Sequence, residues 1–418
     1  MTDTSPAVSK KTSEVILVKV SGEDRRGLTL AFSNLLAQHN IAILDIGQSV
    51  IHDQLNLGML IELPSEGMAS TVLKDLLYKA HEMGVGVQFT PVSAEDYEHW
   101  VGGQGKERYT VTLLARKITA AHFARMAEVV AEQELNIDDI VRLSGRVPLG
   151  KAPENSRACV EISLRGKPVD ADAMRARFLQ VAGELDVDIA FQEDTLYRRN
   201  RRLICFDMDS TLIEAEVIDE LAKAAGVGDQ VAEITESAMR GELDFQESFR
   251  QRMALLKGLK KSVLAEVAAQ LPVTEGAERL IRHVKTLGYR TAILSGGFTY
   301  FGEYLQAKLG IDYVHANTLE FDENDELTGR VIEPIVDGAR KAELLKQIAA
   351  DMNISLEQVI AVGDGANDLP MLSTAGLGIA FRAKPIVQQN AKQALSTIGL
   401  DGILYLLGFK DQHQIDSL

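Results

Sequence analysis

The sequence predicts an α/β chain in which two small α+β modules precede an open, mostly parallel sheet with a helical insertion. Three observations point to this. A pattern of strands and helices recurs across the first 195 residues. In the second half, three short apolar runs (203–206, 291–294 and 359–362) each end abruptly in polar or glycine residues, as buried parallel strands do. Between the first two runs, from Glu216 to about Gln270, the spacing of apolar residues is helical and no convincing strand occurs.

Taken in order, residues 1–12 are rich in Thr, Ser and Lys without the apolar core of a signal peptide, and read as a loose tail. A first module spans 13–95. It has a strand at Val15–Val20, a helix at Leu28–His39, two strands, a helix at Ser70–Met83 and a closing strand at Val85–Phe89. A second spans 106–195, with a strand at Tyr109–Ala115, a helix at Ala121–Gln133, two strands, a helix at Ala171–Leu185 and a closing strand at Val187–Phe191. The repeat is visible where Ala37-Gln-His-Asn-Ile-Ala-Ile-Leu-Asp45-Ile46 recurs in pattern as Ala131-Glu-Gln-Glu-Leu-Asn-Ile-Asp-Asp139-Ile140. The order βαββαβ is that of a ferredoxin-like sandwich. Arg198-Arg199-Asn200-Arg201-Arg202 reads as a solvated linker into a third domain, 196–418. In that domain the helical segment 216–270 would form a cap, and Leu319–Ile332, with Asp322-Glu-Asn-Asp at its centre, a β-hairpin.

Composition bounds the function classes. Lys and Arg number 44 against 60 Asp and Glu, a net charge of −16, which argues against a general nucleic-acid binder and against attraction to anionic membranes. No apolar stretch approaches the ~20 residues that span a bilayer, so the cytoplasm is the expected location. Cys159 and Cys205, the two cysteines, both lie in strand-like apolar runs and read as buried small hydrophobes, not as a disulfide or metal pair. The eight histidines show no metal-ligand spacing, and His283 and His315 read as structural.

Chemistry concentrates at the strand ends. The run Leu203-Ile204-Cys205-Phe206-Asp207-Met208-Asp209-Ser210-Thr211 places two carboxylates on one side of a strand terminus, where ligands of open α/β sheets collect. Their repulsion calls for compensation, and a divalent cation is the obvious candidate. The second apolar run ends in Ser295-Gly296-Gly297-Phe298, a hydroxyl followed by two unhindered amides, suited to an oxyanion or phosphate. Lys341 opens an amphipathic helix, where an ammonium and a helix start both favour an anion. The third run ends in Gly363-Asp364-Gly365-Ala366-Asn367-Asp368, with Pro370 suited to the first turn of a following helix.

The order D-x-D-x-T, S-G-G, K and G-D-G-x-N-D, intact between about Arg202 and about Leu407, resembles the haloacid-dehalogenase (HAD) superfamily of phosphotransferases. Within it the chain is similar to the phosphoserine phosphatases. The resemblance implies Mg²⁺-dependent hydrolysis of O-phospho-L-serine to L-serine and phosphate, the last step of serine biosynthesis, through an aspartyl-phosphate. Asp207 would be the nucleophile and Asp209 the general acid and base. Mg²⁺ would be held by Asp207, Asp364 and the backbone carbonyl of Asp209, while Ser295, Gly296 and Lys341 would hold the phosphoryl oxygens. Asp368 would orient Lys341 and the metal's waters, and Asn367 would touch substrate or support that network. At the amino-acid end, Glu216 and Arg252 match the family's ammonium and carboxylate contacts, and Met239 and Phe245 its apolar lid positions. Glu214 is a nearby competitor of Glu216. Arg252, sharing a helical face with Phe245 and Phe249, is open to two other readings, a surface arginine or a partner in a cap ion pair.

The two small modules resemble the ACT domain, which often binds amino acids and pairs through its sheets. That implies serine feedback and a homodimer. In the first copy Gly22, Asp24 and Gly27 could present amides and a carboxylate to a zwitterion, although Arg26 stands where the ACT pattern usually has proline. The second copy has Ala115-Arg116-Lys117-Ile118-Thr119 there, without the Gly-Asp pattern. Both copies are also open to a dimerisation or packing role without a ligand, the second more than the first. For the whole chain two other readings stand: a phosphotransferase that passes the group to another alcohol, or an amino-acid sensor with a degenerate phosphatase body.

Overall fold

The computed structural model describes residues 14–63, 69–103, 105, 107–150, 153, 155–239 and 242–413, without the side chains of residues 239 and 413. The tail read over 1–12 lies outside the described residues. The chain forms two compact units, Met1–Lys106 and Glu107–Leu418.

In the first unit β1 (Glu14–Glu23), α1 (Leu28–Gln38), β2 (Ala42–Ile51), β3 (Gln54–Leu63), α2 (Ala69–Glu82) and β4 (Gly86–Val92) build an antiparallel sheet in the order β2-β3-β1-β4. Alternate residues of β1 and β3, among them Val18, Val20, Leu57, Met59 and Ile61, face Phe32, Leu36, Val72 and Leu76 of the two helices. One element was not expected. Ser93 caps a helix α3 (Ala94–Gly102) by accepting the Asp96 N–H at 3.0 Å, which carries the module past residue 95. The edge strand β2 is exposed along its length except at Leu44, and it shows Ile43, Ile46, Val50 and Ile51 to solvent.

The second unit opens with the repeat: β5 (Arg108–Ala115), α4 (Ala120–Glu132), β6 (Asn136–Arg142), β7 (Ala158–Arg165), α5 (Ala171–Leu185) and β8 (Asp188–Glu193), in sheet order β6-β7-β5-β8. Here the expected linker is corrected. Arg199 and Arg202 are exposed, but Arg198 and Arg201 are buried. Arg198 pairs with Glu161 of β7, and Arg201 donates to the Glu357 carbonyl of the larger body. Two guanidiniums are desolvated here because Arg198 finds an acceptor in the small module and Arg201 one in the larger body. The module is thus built into the body that follows it.

That body is a six-stranded parallel sheet in the order β11-β10-β9-β14-β15-β16. Its strands are β9 (Leu203–Phe206), β10 (Arg290–Phe298), β11 (Tyr313–Asn317), β14 (Val359–Gly363), β15 (Leu377–Phe381) and β16 (Gln393–Leu395). Cap helices α6 (Val217–Ala225), α7 (Gly228–Met239), α8 (Phe245–Leu255) and α9 (Lys261–Gln270) fill the gap between β9 and β10. The helices α10 (Ala277–Thr286), α11 (Thr299–Leu309), α12 (Gly338–Asp351), α13 (Leu369–Thr374), α14 (Pro385–Asn390) and α15 (Ile403–Leu406) complete the body. A hairpin of β12 (Leu319–Phe321) and β13 (Leu327–Val331) docks on the cap, where Gly258 N–H donates to the Leu327 carbonyl and Lys261 N–H to that of Asp325, each at 2.8 Å. Cys159 and Cys205 are buried and unpaired, as expected, and burial pushes both thiols up. No helix among the described residues is long and apolar enough to cross a membrane.

The chain leaves β9 for β10 and β11 on one side and later returns for β14 on the other, so the carboxyl ends of β9 and β14 form a switch-point crevice. At the far edge, β8 of the small module lies against β16. Gln393 accepts the Phe191 N–H at 2.9 Å and donates to its carbonyl at 2.7 Å. Asp188, buried beside them, accepts the N–H groups of Ser396 and Thr397, both at 2.8 Å, and the Thr397 hydroxyl at 2.6 Å. Burial pushes its carboxyl up to about 6, against the pull of those donors. The Asp188→Asn variant turns an amide N–H toward one of these donors and leaves it unpaired. Urea unfolding should show a loss of about 1–3 kcal/mol, and unchanged stability would mean that the contact is solvated.

Candidate active site

Asp207 follows β9 directly, and its N–H continues the ladder by donating to the Val362 carbonyl at 2.9 Å. Its Oδ2 lies 2.9 Å from Lys341 Nζ, and its Oδ1 accepts the Met208 N–H at 2.7 Å. Lys341, in the first turn of α12, also donates to Asp368 Oδ1 at 2.7 Å, and it is fully buried. Asp368 Oδ2 takes the Gly365 N–H at 2.9 Å, so that carboxylate is fixed at both oxygens. Burial works against the ammonium, but Asp207 and Asp368 more than offset it and hold Lys341 above its ordinary pKa.

Asp209 projects to the same side. Its Oδ1 accepts the Val217 N–H at 3.0 Å, which ties the motif to the start of α6. Ser210 takes a left-handed backbone (φ 53) and donates to Glu216 Oε1 at 2.7 Å. Glu214 points elsewhere, to Arg382 Nη1 at 2.7 Å, so Glu216 is the glutamate of the site. Burial, then Asp368, raises the Asp207 carboxyl far above the usual range; burial, then Glu216, raises Asp209; burial, then Asp368, raises Asp364 to about 7. Thr211, which the sequence reading left without a role, donates to Asp364 Oδ1 at 3.4 Å.

Asp207, Asp364 and Asp368 each bring one carboxylate oxygen to within 4.8 Å of one another. The excess of buried carboxylate over cationic charge and the all-oxygen donor set fit a hard divalent cation. Asp209 enters this cluster through no carboxylate oxygen; Asp368 does, although its two oxygens are already bonded, one to Lys341 and one to the Gly365 N–H.

The glycine pair occupies an irregularity in the ladder between β10 and β11, from Leu294 to Phe298, that re-aims 295–297 toward the carboxylates. A Cβ at Gly297 would sit 2.6 Å from Asp209 Oδ2, and one at Gly296 3.0 Å from Phe245 Cζ, so backbone fills both approaches. Ser295 is buried and its Oγ accepts the Gly297 N–H at 2.9 Å, shaping the cradle from behind. Asn317, unforeseen, holds that cradle: its amide donates to the Gly296 carbonyl and its Oδ1 accepts the Val336 N–H, each at 2.8 Å. No local signal marks Asn317, because its partners lie far away in sequence.

Above these groups is a cavity of about 190 Å³, lined on the body side by Asp207, Asp209, Gly296, Gly297, Asp364 and Asn367. From the cap come Glu216, Ile218, Phe245, Phe249 and Arg252. Arg252 therefore faces the cavity. Burial lowers its pKa, with Asp219 and Glu216 opposing. Phe245 stacks on Phe249 with centroids 6.2 Å apart, and Phe249 meets Phe298 at 5.9 Å, giving a partly apolar wall. The Met239 side chain lies outside the described residues. In the first unit Gly22 is a paired residue of β1, opposite Leu55, and not part of a loop. Gly27 precedes α1 with φ 90, and Asp24 is exposed. The depression of that unit lies on the sheet, between Lys19–Ser21, Asn56–Gly58 and Gly86–Gln88, beside the expected loop and not within it.

Residues 201–376 match the haloacid dehalogenase-like hydrolase family, and 14–90 and 108–192 each match an ACT domain family. Fold and site thus define a haloacid dehalogenase-like hydrolase with two ACT domains. A phosphoserine phosphatase of Streptomyces coelicolor is 40% identical over 96% of this chain and 94% of its own length. One of Mycobacterium tuberculosis is 40% identical over 94% and 93%. The crystal structure of a HAD family hydrolase from Salmonella enterica serovar Typhi superposes with a TM-score of 0.60 at 31% identity, covering 71% of this chain and 98% of that one. A probable phosphoserine phosphatase from Vibrio cholerae gives 0.57 at 35%, covering 72% and 86%. The chain belongs to the phosphoserine phosphatase family.

Asn317→Asp keeps the acceptor for Val336 but cannot donate to the Gly296 carbonyl. Hydrolysis of a small aryl phosphate should slow roughly 10- to 100-fold as the cradle shifts. A rate within twofold of wild type would remove Asn317 from the site's support.

Proposed function

We propose that the chain hydrolyses O-phospho-L-serine to L-serine and phosphate, through attack by Asp207 on phosphorus and a covalent aspartyl-phosphate. The observation that carries the reading is the meeting of Asp207, Lys341 and the Gly296–Gly297 cradle beneath a cap that turns both Glu216 and Arg252 into one cavity. Asp207, Asp364 and the Asp209 carbonyl would hold Mg²⁺, which when bound offsets the repulsion between carboxylate and phosphate and polarises the phosphoryl group. Lys341, Ser295 and the Gly296 amide take the charge that develops on the equatorial oxygens. Lys341 stays charged because Asp207 and Asp368 flank it, and Asp368 keeps it in line.

Asp209 donates its proton to the departing seryl oxygen. Its grip on Val217 N–H keeps it aimed at that oxygen. In the second step the carboxylate left behind takes a proton from the water that cleaves the aspartyl-phosphate. Arg252 meets the substrate carboxylate and Glu216 its ammonium, while Phe245, Phe249 and Phe298 exclude water.

The Asp207→Asn variant should release phosphate from phosphoserine only at background rate while keeping its fold. Arg252→Ala should lose about 2–5 kcal/mol of transition-state binding for phosphoserine and far less for a small aryl phosphate without a carboxylate. Near wild-type turnover by Asp207→Asn sinks the covalent route. Equal losses on both substrates for Arg252→Ala sink its role as reader of the substrate.

We further propose a cytoplasmic homodimer inhibited by its product serine. Ile43, Ile46 and Val50, which share one face of the exposed edge strand β2, and Ile51 at its end support pairing through the first ACT unit. In the second copy the β8 edge is already covered by β16, which limits sheet pairing there. Serine can inhibit through an ACT unit only by binding two states unequally. Removing residues 1–106, the whole first unit, should change the mass in solution and abolish serine inhibition. Inhibition undiminished at the same serine concentration would place the effect in the second unit, at its ACT domain or at the catalytic cavity.

A further inference from the structure

The cap joins the body through two crossing segments. These form a short antiparallel ribbon, with Ile213 opposite Val273, Glu214 N–H donating to the Pro272 carbonyl at 2.9 Å and Thr274 N–H to the Leu212 carbonyl at 3.0 Å. Any motion of the cap against the body must work through this ribbon. It carries two glutamates, and both are held from outside. Arg382, just after β15, donates Nη1 to Glu214 Oε1 at 2.7 Å and Nη2 to Glu275 Oε2 at 3.3 Å. Arg116, at the end of β5 in the second ACT domain, grips Glu275 with both ends of its fork, Nη1 to Oε1 at 2.8 Å and Nη2 to Oε2 at 2.6 Å. Arg116 raises no competing need, since its pairing with Glu275 raises its own pKa and lowers that of the glutamate.

Two features distinguish this from an ordinary surface pair. Neither arginine lies within residues 201–376, the part that matches the hydrolase family, so the clamp is applied from outside that match. Arg382 also sits in the left-handed backbone region (φ 45), a costly place for a long side chain, and it is kept there while its Nη atoms bridge both crossing segments. Two residues beyond Glu214, on the same segment, Glu216 lines the cavity. The position of the ribbon therefore sets the position of a substrate contact.

We propose that Arg116 and Arg382 clamp the hinge of the cap, which makes Arg116 of the second ACT domain a positioning residue for the hydrolase reaction. The domain acts on catalysis directly through Glu275, with no ligand of its own. Releasing the clamp shifts the cap toward open states, and a binding-competent state that is less populated raises the apparent substrate dissociation constant in proportion. The inference rests on the phosphoserine reading above for its kinetics, but not for its mechanics.

The test compares the full-length wild type with Arg116→Ala, Arg116→Lys, Glu275→Gln and the double variant Arg116→Ala/Glu275→Gln. In Arg116→Ala, KM for phosphoserine should rise about 3- to 10-fold with kcat within twofold. Arg116→Lys should restore little of this, because an ammonium lacks the two-pronged fork. The double variant should match Glu275→Gln, as expected of residues acting through one contact. Hydrogen exchange should quicken at the amides of Glu214 and Thr274 in Arg116→Ala while the core strand 359–363 stays protected. Unchanged exchange at those amides overturns the clamp whatever the kinetics show. Quickened exchange with an unchanged KM overturns the positioning role. A wild type that hydrolyses no phosphomonoester would sink the phosphoserine reading and leave the exchange data to decide the clamp.

Discussion

Lys341 lies between Asp207 and Asp368, its ammonium removed from water and its charge sustained by the two carboxylates it touches. Much of the second unit follows from this contact. Without the ammonium, Asp207 and Asp368 would be two desolvated like charges, and breaking such a buried pair costs about 3–5 kcal/mol. With it, the body can hold Asp207, Asp364 and Asp368 within one small volume at the ends of β9 and β14. The parallel sheet supplies the rigid frame: Asp207 N–H remains in the ladder with Val362, so this carboxylate is an extension of the sheet and not of a loop.

The carboxylates are poised by unequal surroundings. Asp207 is paired with an ammonium, Asp209 has only the Val217 amide and a neighbouring glutamate, and Asp364 has a threonine hydroxyl. Nearly identical groups are thereby given different surroundings, one set against a buried cation and the others against neutral donors. The cap completes the division. It carries no group of the phosphoryl cradle, but it brings the arginine, the glutamate and two of the three phenylalanines that face the rest of a substrate. In the proposed reaction the chemistry sits on the body and the selectivity on the cap.

The second ACT domain is part of that body. Buried polar contacts join it across the junction: Asp188 to Ser396 and Thr397, Gln393 to Phe191, Arg198 to Glu161. Breaking any one leaves a desolvated donor or acceptor without a partner, which favours one docking geometry over many. The first ACT domain forms a unit with its own core and an open sheet edge. One duplicated sequence pattern has thus been put to two structural uses.

Much of the site was legible in the chain itself, for a physical reason. Asp207, Asp209, Ser295, Gly296 and Asp364 stand at or just past the ends of apolar strands, and the alternation of a strand fixes where its last side chains point; Asp368 lies in the helical turn that follows Asp364. Lys341 could be read from its place in the first turn of a helix, and the helical face shared by Phe245, Phe249 and Arg252 from spacing alone. The βαββαβ repeat was equally plain, since each element buries its own apolar face. Other features depended on contacts between distant segments, which no local pattern records. Asn317 holds Gly296 and Val336, Arg116 holds Glu275, and Glu214 turns to Arg382 while Glu216 turns inward. The run 198–202 looked like a solvated linker because its charge is local information. The acceptors at Glu161 and Glu357 that bury two of its arginines are supplied only by the tertiary structure.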